Sequence, residues 1–317
     1  MNQQTDSKNT NESSFEQNIV NRLVQEILAE QRRARRWGVF FKSLLALYLF
    51  AFLVIFLAED MVSSPIGGEK HTALVEIKGL ISADTEASAD YIVTGLREAF
   101  ENNKTAGVIV RINSPGGSPV QAGYINDEII RLRAKYPDIP LYAVISDICA
   151  SGGYYIAAAS DKIYANKASI VGSIGVVMAS FGFVDAIKKL GIERRLLHAG
   201  ESKGFLDPFT PLKDEDIAHV DGLLVAIHRQ FINVVKRGRG ERIKEDDQLF
   251  TGLIWTGEQS VELGLVDALG SAGYVAREII GAEDIVDFTK RETVFDRFAS
   301  RIGATIAEKL NTRFELR

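Results

Sequence analysis

Asp147-Ile-Cys-Ala-Ser151-Gly-Gly-Tyr-Tyr155 is the stretch on which the fold reading turns. Before it, the apolar run Leu141-Tyr-Ala-Val-Ile-Ser146 predicts a buried strand; after it, Ile156-Ala-Ala-Ala159 predicts a helix. A serine followed by two glycines at a strand-to-helix junction is a place to display a nucleophile. The missing side chains of Gly152 and Gly153 let a carbonyl approach the backbone. The free N–H groups of the first helical turn then face the oxygen that becomes negative. An ordinary turn closed by a capping serine has the same letters.

Working outward, the preceding chain alternates. Ala73-Leu-Val-Glu-Ile77 predicts a strand, and Ile92, Leu96, Ala99 and Phe100 predict a helix over 88–102. Gly107-Val-Ile-Val-Arg-Ile112 is a second strand that ends in Asn113-Ser-Pro-Gly-Gly117. Ile125, Ile129, Ile130 and Leu132 mark a helix to about Tyr136, closed by Pro137 and Pro140. Strand, helix, strand, helix, strand is the pattern of βα units about a mainly parallel sheet, so the fold class is α/β. Past the turn, Ile163-Tyr-Ala165 and Ile174-Gly-Val-Val-Met178 are short apolar runs, 182–190 predicts a helix, and Arg195-Leu-Leu-His198 a short strand. A long amphipathic helix is expected over 213–236, with further helices from Thr256 to Leu263 and from Tyr274 to Ile280. The segment 291–317 is amphipathic along Phe295, Phe298, Ile302, Ile306 and Leu310, a face suited to the core, a partner subunit or a membrane surface. No internal repeat is evident.

The N-terminal 30 residues are polar, and 15–36 has the spacing of a short amphipathic helix. Arg32, Arg33, Arg35 and Arg36 lead into 39–58, twenty residues in which only Lys42 is charged. At about 1.5 Å per residue such a run spans a hydrocarbon core of about 30 Å. The basic flank precedes it and Glu59 and Asp60 follow, so the N-terminus is expected in the cytoplasm and the rest outside. A cleaved signal peptide is the rival, but no A-x-A site follows the run. A buried soluble helix fits less well, because nothing polar interrupts the run after Ser43. The expected organisation is a cytoplasmic segment (1–38), a transmembrane helix (39–58), a linker (59–71), a catalytic domain (72–290) and the tail (291–317).

The chain has 317 residues and a net charge of −5, a balance that gives no support to nucleic-acid binding. Its single cysteine, Cys149, excludes an intrachain disulfide; it reads as a small buried residue beside the turn rather than a nucleophile. No HExxH, CxxC or P-loop occurs, so neither a metal nor a nucleotide cofactor is expected.

Ser151 needs a base. Of His71, His198, His219 and His228, only His198 suits a triad, and no Asp is obviously placed to orient it; His219 and His228 read as a solvated helix face. A lysine is the alternative, since burial beside a hydroxyl can depress its pKa by several units. Lys203 stands in Gly200-Glu-Ser-Lys-Gly-Phe-Leu-Asp-Pro-Phe209, an irregular loop able to carry a residue into a site. A solvated lysine is the plainer reading of the composition.

Taken in order, Asn113-Ser-Pro-Gly-Gly, Ala150-Ser-Gly-Gly-Tyr-Tyr, Asp161-Lys-Ile, Gly172-Ser-Ile-Gly-Val and the loop around Lys203 resemble the signal peptide peptidase A family of membrane-bound serine proteases, peptidase family S49. The resemblance covers roughly 72–280 and is to the single-copy short form. It implies a crotonase/ClpP-like fold of repeated ββα units behind one N-terminal transmembrane helix. It further implies a Ser-Lys dyad in which Ser151 is the nucleophile, Lys203 the general base and Ser173 the hydroxyl that hydrogen-bonds the lysine. Gly117 matches the oxyanion-hole glycine, with the Gly152 amide as second donor. Cys149 and Pro119 depart from the commoner pattern and bear on pocket shape. The implied partners are peptides, above all spent signal peptides and small or unfolded polypeptides. A homo-oligomeric ring, an octamer in some members, and the bilayer around 39–58 are implied as well, with the catalytic domain periplasmic at a bacterial inner membrane. Two other classes share these letters: a crotonase-like acyl-CoA enzyme, and a non-enzymatic membrane scaffold of the same fold.

Overall fold

In a computed structural model of the chain, the structure describes residues 30–33, 35–54, 70–244 and 246–291. The amphipathic spacing before residue 30, the end of the apolar span beyond 54, the linker up to 69 and the tail beyond 291 lie outside the described residues. The chain divides into two units, Met1–Gly67 and Gly68–Arg317. In the first, α1 (Glu30–Val54) is long and apolar enough to cross a membrane.

The second unit is built on an eight-stranded sheet: β1 (His71–Lys78), β2 (Thr105–Ser114), β3 (Leu141–Ala150), β4 (Lys162–Ala165), β5 (Ile170–Gly172), β6 (Ile254–Thr256), β7 (Ala268–Leu269) and β8 (Ile285–Asp287). The order is β6-β5-β3-β2-β1-β8, with β4 beside β3 and β7 beside β4. Every pairing is parallel except β5 with β6. Both faces of the central strands are buried, which explains their near-continuous apolar lettering. Ala73, Val75 and Ile77, with Val108, Val110, Ile112, Ala143 and Ile145, point into one core. The alternate residues Leu74, Ile109 and Val144 point into a second.

The larger core is covered by α2 (Ala89–Glu101), which buries Ile92, Leu96, Ala99 and Phe100, and α3 (Pro119–Lys135), which buries Ile125, Ile129 and Leu132. Ser118 caps α3, accepting from the Gln121 amide, and Pro119 occupies the first turn, where no donor is lost. Gln121 in turn accepts from the Ala89 amide at the start of α2, so one residue stitches two helix origins together. On the opposite face Val275 and Ala276, in a π-helical turn over Val275–Ile280, close the smaller core.

Strand β3 fixes the site. Its first half pairs with β4 (Tyr142 to Ile145) and its last residues pair with β5 (Ile148 to Ala150), while β2 runs along the other side. Three parallel strands, β2, β3 and β5, therefore end side by side. The expected strand at 195–198 is not formed: these residues make no strand pairing among the described residues and are exposed. The long helix α6 (Asp214–Arg239) is present, but only Phe231, Val234, Val235 and Arg239 of it are buried. Between α6 and the three strand ends lies an arm containing a short helix, α5 (Val184–Lys189), with no buried residue.

Candidate active site

The loops leaving β2, β3 and β5 meet. From β3 the chain enters α4 (Gly152–Ala157) through Ser151, which holds φ 52° and ψ −121°. Positive φ is costly for a residue with a Cβ, on the order of 1–3 kcal/mol, and persists only where surroundings impose it. Here the Ser151 amide donates to the Gly172 carbonyl at 2.9 Å, and the Ser151 carbonyl accepts from Tyr155 at 3.0 Å. The Ser151 side chain caps no helix amide, which sets aside the capping-serine alternative and leaves the hydroxyl available. Among the described residues, three non-glycines have positive φ: Ser151, Ser173 and Leu206. All three lie in segments read as catalytic from the sequence.

From β2, the loop carries Gly116 at φ 102° and Gly117 at φ 148°. A Cβ on Gly116 would stand 2.6 Å from the Ser151 Cβ, and one on Gly117 would collide with the Ile81 carbonyl. Both glycines are thus required by close approach, Gly116 to the serine turn and Gly117 to a short parallel bridge with Ile81. The Gly117 nitrogen lies 3.3 Å from where a Gly152 Cβ would be, so the two loops present neighbouring amides. Neither the Gly117 nor the Gly152 amide has an acceptor among the described residues.

From β5, Gly172 (φ 111°) is backed by the Trp255 ring, and Ser173 follows with its amide donating to Leu253 at 2.7 Å. Ser151, Gly152, Gly117 and Ser173 all line one cavity of about 610 Å3. Its walls include Tyr155, Val177, Ile227, Phe231 and Pro119, so of the two departures noted in the sequence Pro119 lines the pocket and Cys149 does not. Two donors beside a hydroxyl in an apolar-walled cavity can receive a carbonyl and stabilise its tetrahedral adduct.

Lys203 is not among the residues lining this cavity. It is exposed, in a turn spanning 201–206, on the arm. That turn is held locally: Arg194 meets Asp207 at 2.8 Å, and Asp207 accepts from the Phe209 amide at 2.9 Å. The Arg194 bond, helped by the Phe209 amide, holds the Asp207 carboxyl below its usual range. Phe209 stacks on Phe183, ring centroids 5.6 Å apart. His198 is exposed on the same arm, its Nδ1 2.9 Å from the Gly200 carbonyl, and is likewise outside the cavity.

Cys149 is fully buried within β3, and burial pushes its thiol pKa up, away from thiolate chemistry. His71 is buried at the start of β1, stacked on Phe288. Sequence reasoning missed the cavity wall supplied by Ile227 and Phe231 and the support that Leu253 gives Ser173. The spacing 224, 227, 231 marked an apolar stripe but could not say what it faced. Among the described residues, no group of three His, Cys, Asp or Glu is arranged to hold a metal.

The sequence profile of peptidase family S49 matches residues 133–284. Over 186 residues the chain is 45% identical to a Na(+)/H(+) antiporter NhaA of Brucella melitensis, covering 59% of this chain and 25% of that protein. It is 32% identical over 200 residues to a putative signal peptide peptidase SppA of Enterococcus faecium, covering 63% of this chain and 55% of that one. It is 32% identical over 202 residues to a putative protease of Synechocystis, covering 64% of this chain and 70% of that protein. The chain thus spans a quarter to about half the length of the first two relatives and most of the third.

Proposed function

The chain belongs to peptidase family S49, and we propose that it is a membrane-anchored serine endopeptidase whose dyad is Ser151 and Lys203. The carrying observation is the convergence of three strand ends, which sets a strained Ser151 with an unengaged hydroxyl beside the Gly117 and Gly152 amides in one cavity. Ser151 Oγ attacks the scissile carbonyl while its proton passes to the Lys203 amine. The oxyanion is received by the Gly117 and Gly152 N–H groups. Lys203 returns the proton to the leaving amine, then takes one from the water that hydrolyses the acyl-enzyme. Ser173 holds the lysine by a hydrogen bond.

Because Lys203 stands outside the cavity that Ser151 lines, the dyad is closed between two copies of the chain, each lending its arm to a neighbour. The exposed apolar side chains of that arm support this: Val177, Phe181 and Leu197 are all at least 80% exposed. A ring is the closed assembly such head-to-tail lending produces. The peptidase domain spans 72–290 in a crotonase/ClpP-like fold of ββα units. The anchor is 39–58, with the arginines before it cytoplasmic and the catalytic domain periplasmic at a bacterial inner membrane. Substrates are spent signal peptides and other small or unfolded polypeptides, for which the apolar cavity wall and the name of the Enterococcus relative are the support.

The test uses full-length protein in detergent. Ser151→Ala and Lys203→Ala should each abolish peptide cleavage, and a serine-reactive phosphonate should label Ser151 alone. Mixed and reassembled, the two dead variants should regain roughly a quarter of parent activity, because one chain supplies serine and its neighbour lysine. Mixtures that stay dead while assembling normally reject the shared dyad. A parent protein that neither cleaves peptide nor takes the label rejects the peptidase reading.

A further inference from the structure

We propose that His228 is a positioning residue for this site: its Nε2 holds the Ile174 carbonyl, and so keeps the strained Ser173 turn in place. The inference rests on the peptidase reading above and goes beyond it by assigning a residue that the sequence placed on a solvated face.

The Ser173 turn has reason to relax. Gly172 and Ser173 are consecutive positive-φ residues, at 111° and 52°. Such a turn persists only where it is tied down. On one side the Ser173 amide is tied to Leu253 at 2.7 Å. On the other, the Ile174 carbonyl lies 3.1 Å from His228 Nε2, across a sequence separation of 54 residues. A carbonyl only accepts, so Nε2 carries the proton.

His228 can hold this turn because α6 is itself held. Phe231, three residues on, is buried in the main core with Val234 and Val235 behind it. The Phe231 ring meets Tyr155 of α4 at 5.2 Å between centroids. Tyr155 lies four residues after Ser151, and its carbonyl is fixed by Asn126 at 2.8 Å. A single helix therefore touches the nucleophile's helix through Phe231 and the Ser173 turn through His228. Ile227 and Phe231 on either side of His228 line the same cavity. This sets the spacing between the serine that attacks and the serine that orients the base, independently of the arm that brings Lys203.

Losing the His228 donor should loosen Ser173 and misdirect the lysine, lowering kcat while leaving the apolar wall, and so KM, nearly intact. The test compares His228→Phe, which keeps a ring without the donor, with His228→Gln, which restores a side-chain N–H. In full-length protein, His228→Phe should lower kcat roughly 10- to 100-fold with KM within about threefold, and His228→Gln should recover most of that loss. If His228 acts through Ser173, Ser173→Ala combined with His228→Phe should cost no more than Ser173→Ala alone. Full parental kcat in His228→Phe, equal losses in the Phe and Gln variants, or independent multiplication of the two losses would each overturn the proposal while leaving an active parent enzyme. A parent that neither cleaves peptide nor is labelled at Ser151 overturns the peptidase reading and takes this inference with it.

Discussion

The sheet and the arm are built on opposite terms. Around Ser151 nearly every neighbour is buried: Cys149, Ala150, Tyr154, Ile156 and Ala157 belong to the core, and strands flank β3 on both sides. From residue 175 to residue 230 no residue is buried at all. The arm nonetheless carries large apolar side chains, with Leu197 96% exposed and Val177 85%. A stretch of this length without a core of its own gains too little from burial to offset the entropy of ordering it. What orders it locally is polar and aromatic: the Arg194–Asp207 pair, the Phe183–Phe209 stack and the Arg194 cation over the Phe209 ring at 5.8 Å. Ser151 is held among buried neighbours, and Lys203 stands on an exposed surface.

Three substitutions would break or sharpen that contrast. The largest effect is expected at Gly117→Ala, where the added methyl meets the Ile81 carbonyl and the positive φ disfavours any side chain. Cleavage should fall on the order of 10²-fold or more if the Gly117 amide is the proposed oxyanion donor, and the melting temperature should drop by several degrees. Parent-like rates in this variant would mean that the β2 loop is not part of the site. Next is Leu197→Asp on the arm. It should leave the melting of the sheet unit unchanged, yet dissociate the proposed ring in sedimentation and reduce cleavage roughly tenfold or more at low protein concentration. A variant that sediments and cleaves as the parent does would return the arm to being an ordinary loop.

The smallest effect concerns Glu128 on α3, hydrogen-bonded by Arg131 and by Arg97 of α2. Arg131 above all, with Arg97 and against the opposing effect of burial, brings its carboxyl down to about 2. A carboxylate with a depressed folded-state pKa stabilises above its unfolded value, near 4.3, and loses that contribution as pH falls towards about 2. Glu128→Gln should therefore melt a few degrees lower at neutral pH, with the gap closing across that acid window. A constant gap from pH 7 to pH 2 would show that packing, rather than charge, matters there.

The alternation of the first three strands and two helices was readable because both faces of that sheet are buried within one chain. Ala73, Val75 and Ile77 face one core and Leu74 the other, so periodicity and packing agree. The Asn113-to-Gly117 loop was readable for a related reason: at Gly116 and Gly117 only glycine tolerates the approach, and glycines are visible as letters, while at the Ser151 junction Gly152 and Gly153 are close-packed without excluding a side chain so sharply. The extent of β3 was not readable. The sequence pattern ends at Ser146, but pairing with β5 carries the strand to Ala150 past the exposed Asp147. Arg195-Leu-Leu-His198 misled because its apolar letters answer to a surface, not to a strand neighbour. Lys203 was a candidate from its irregular loop and was raised to general base by the family resemblance, and the structure leaves it exposed and outside the cavity that Ser151 lines.

Cys149, finally, makes the molecule its own gauge. The only thiol in the chain sits directly across from Ser114 on β2 and Val171 on β5, two residues before Ser151. A thiol reagent reaches it only when those strands separate. The rate of alkylation in mild conditions therefore reads how often the sheet opens beneath Ser151, without any label being introduced. Inactivation by such reagents should be slow and should keep pace with that opening, whereas a phosphonate at Ser151 should act on the closed molecule. The two clocks, run on one sample, separate breathing of the scaffold from access to the cavity.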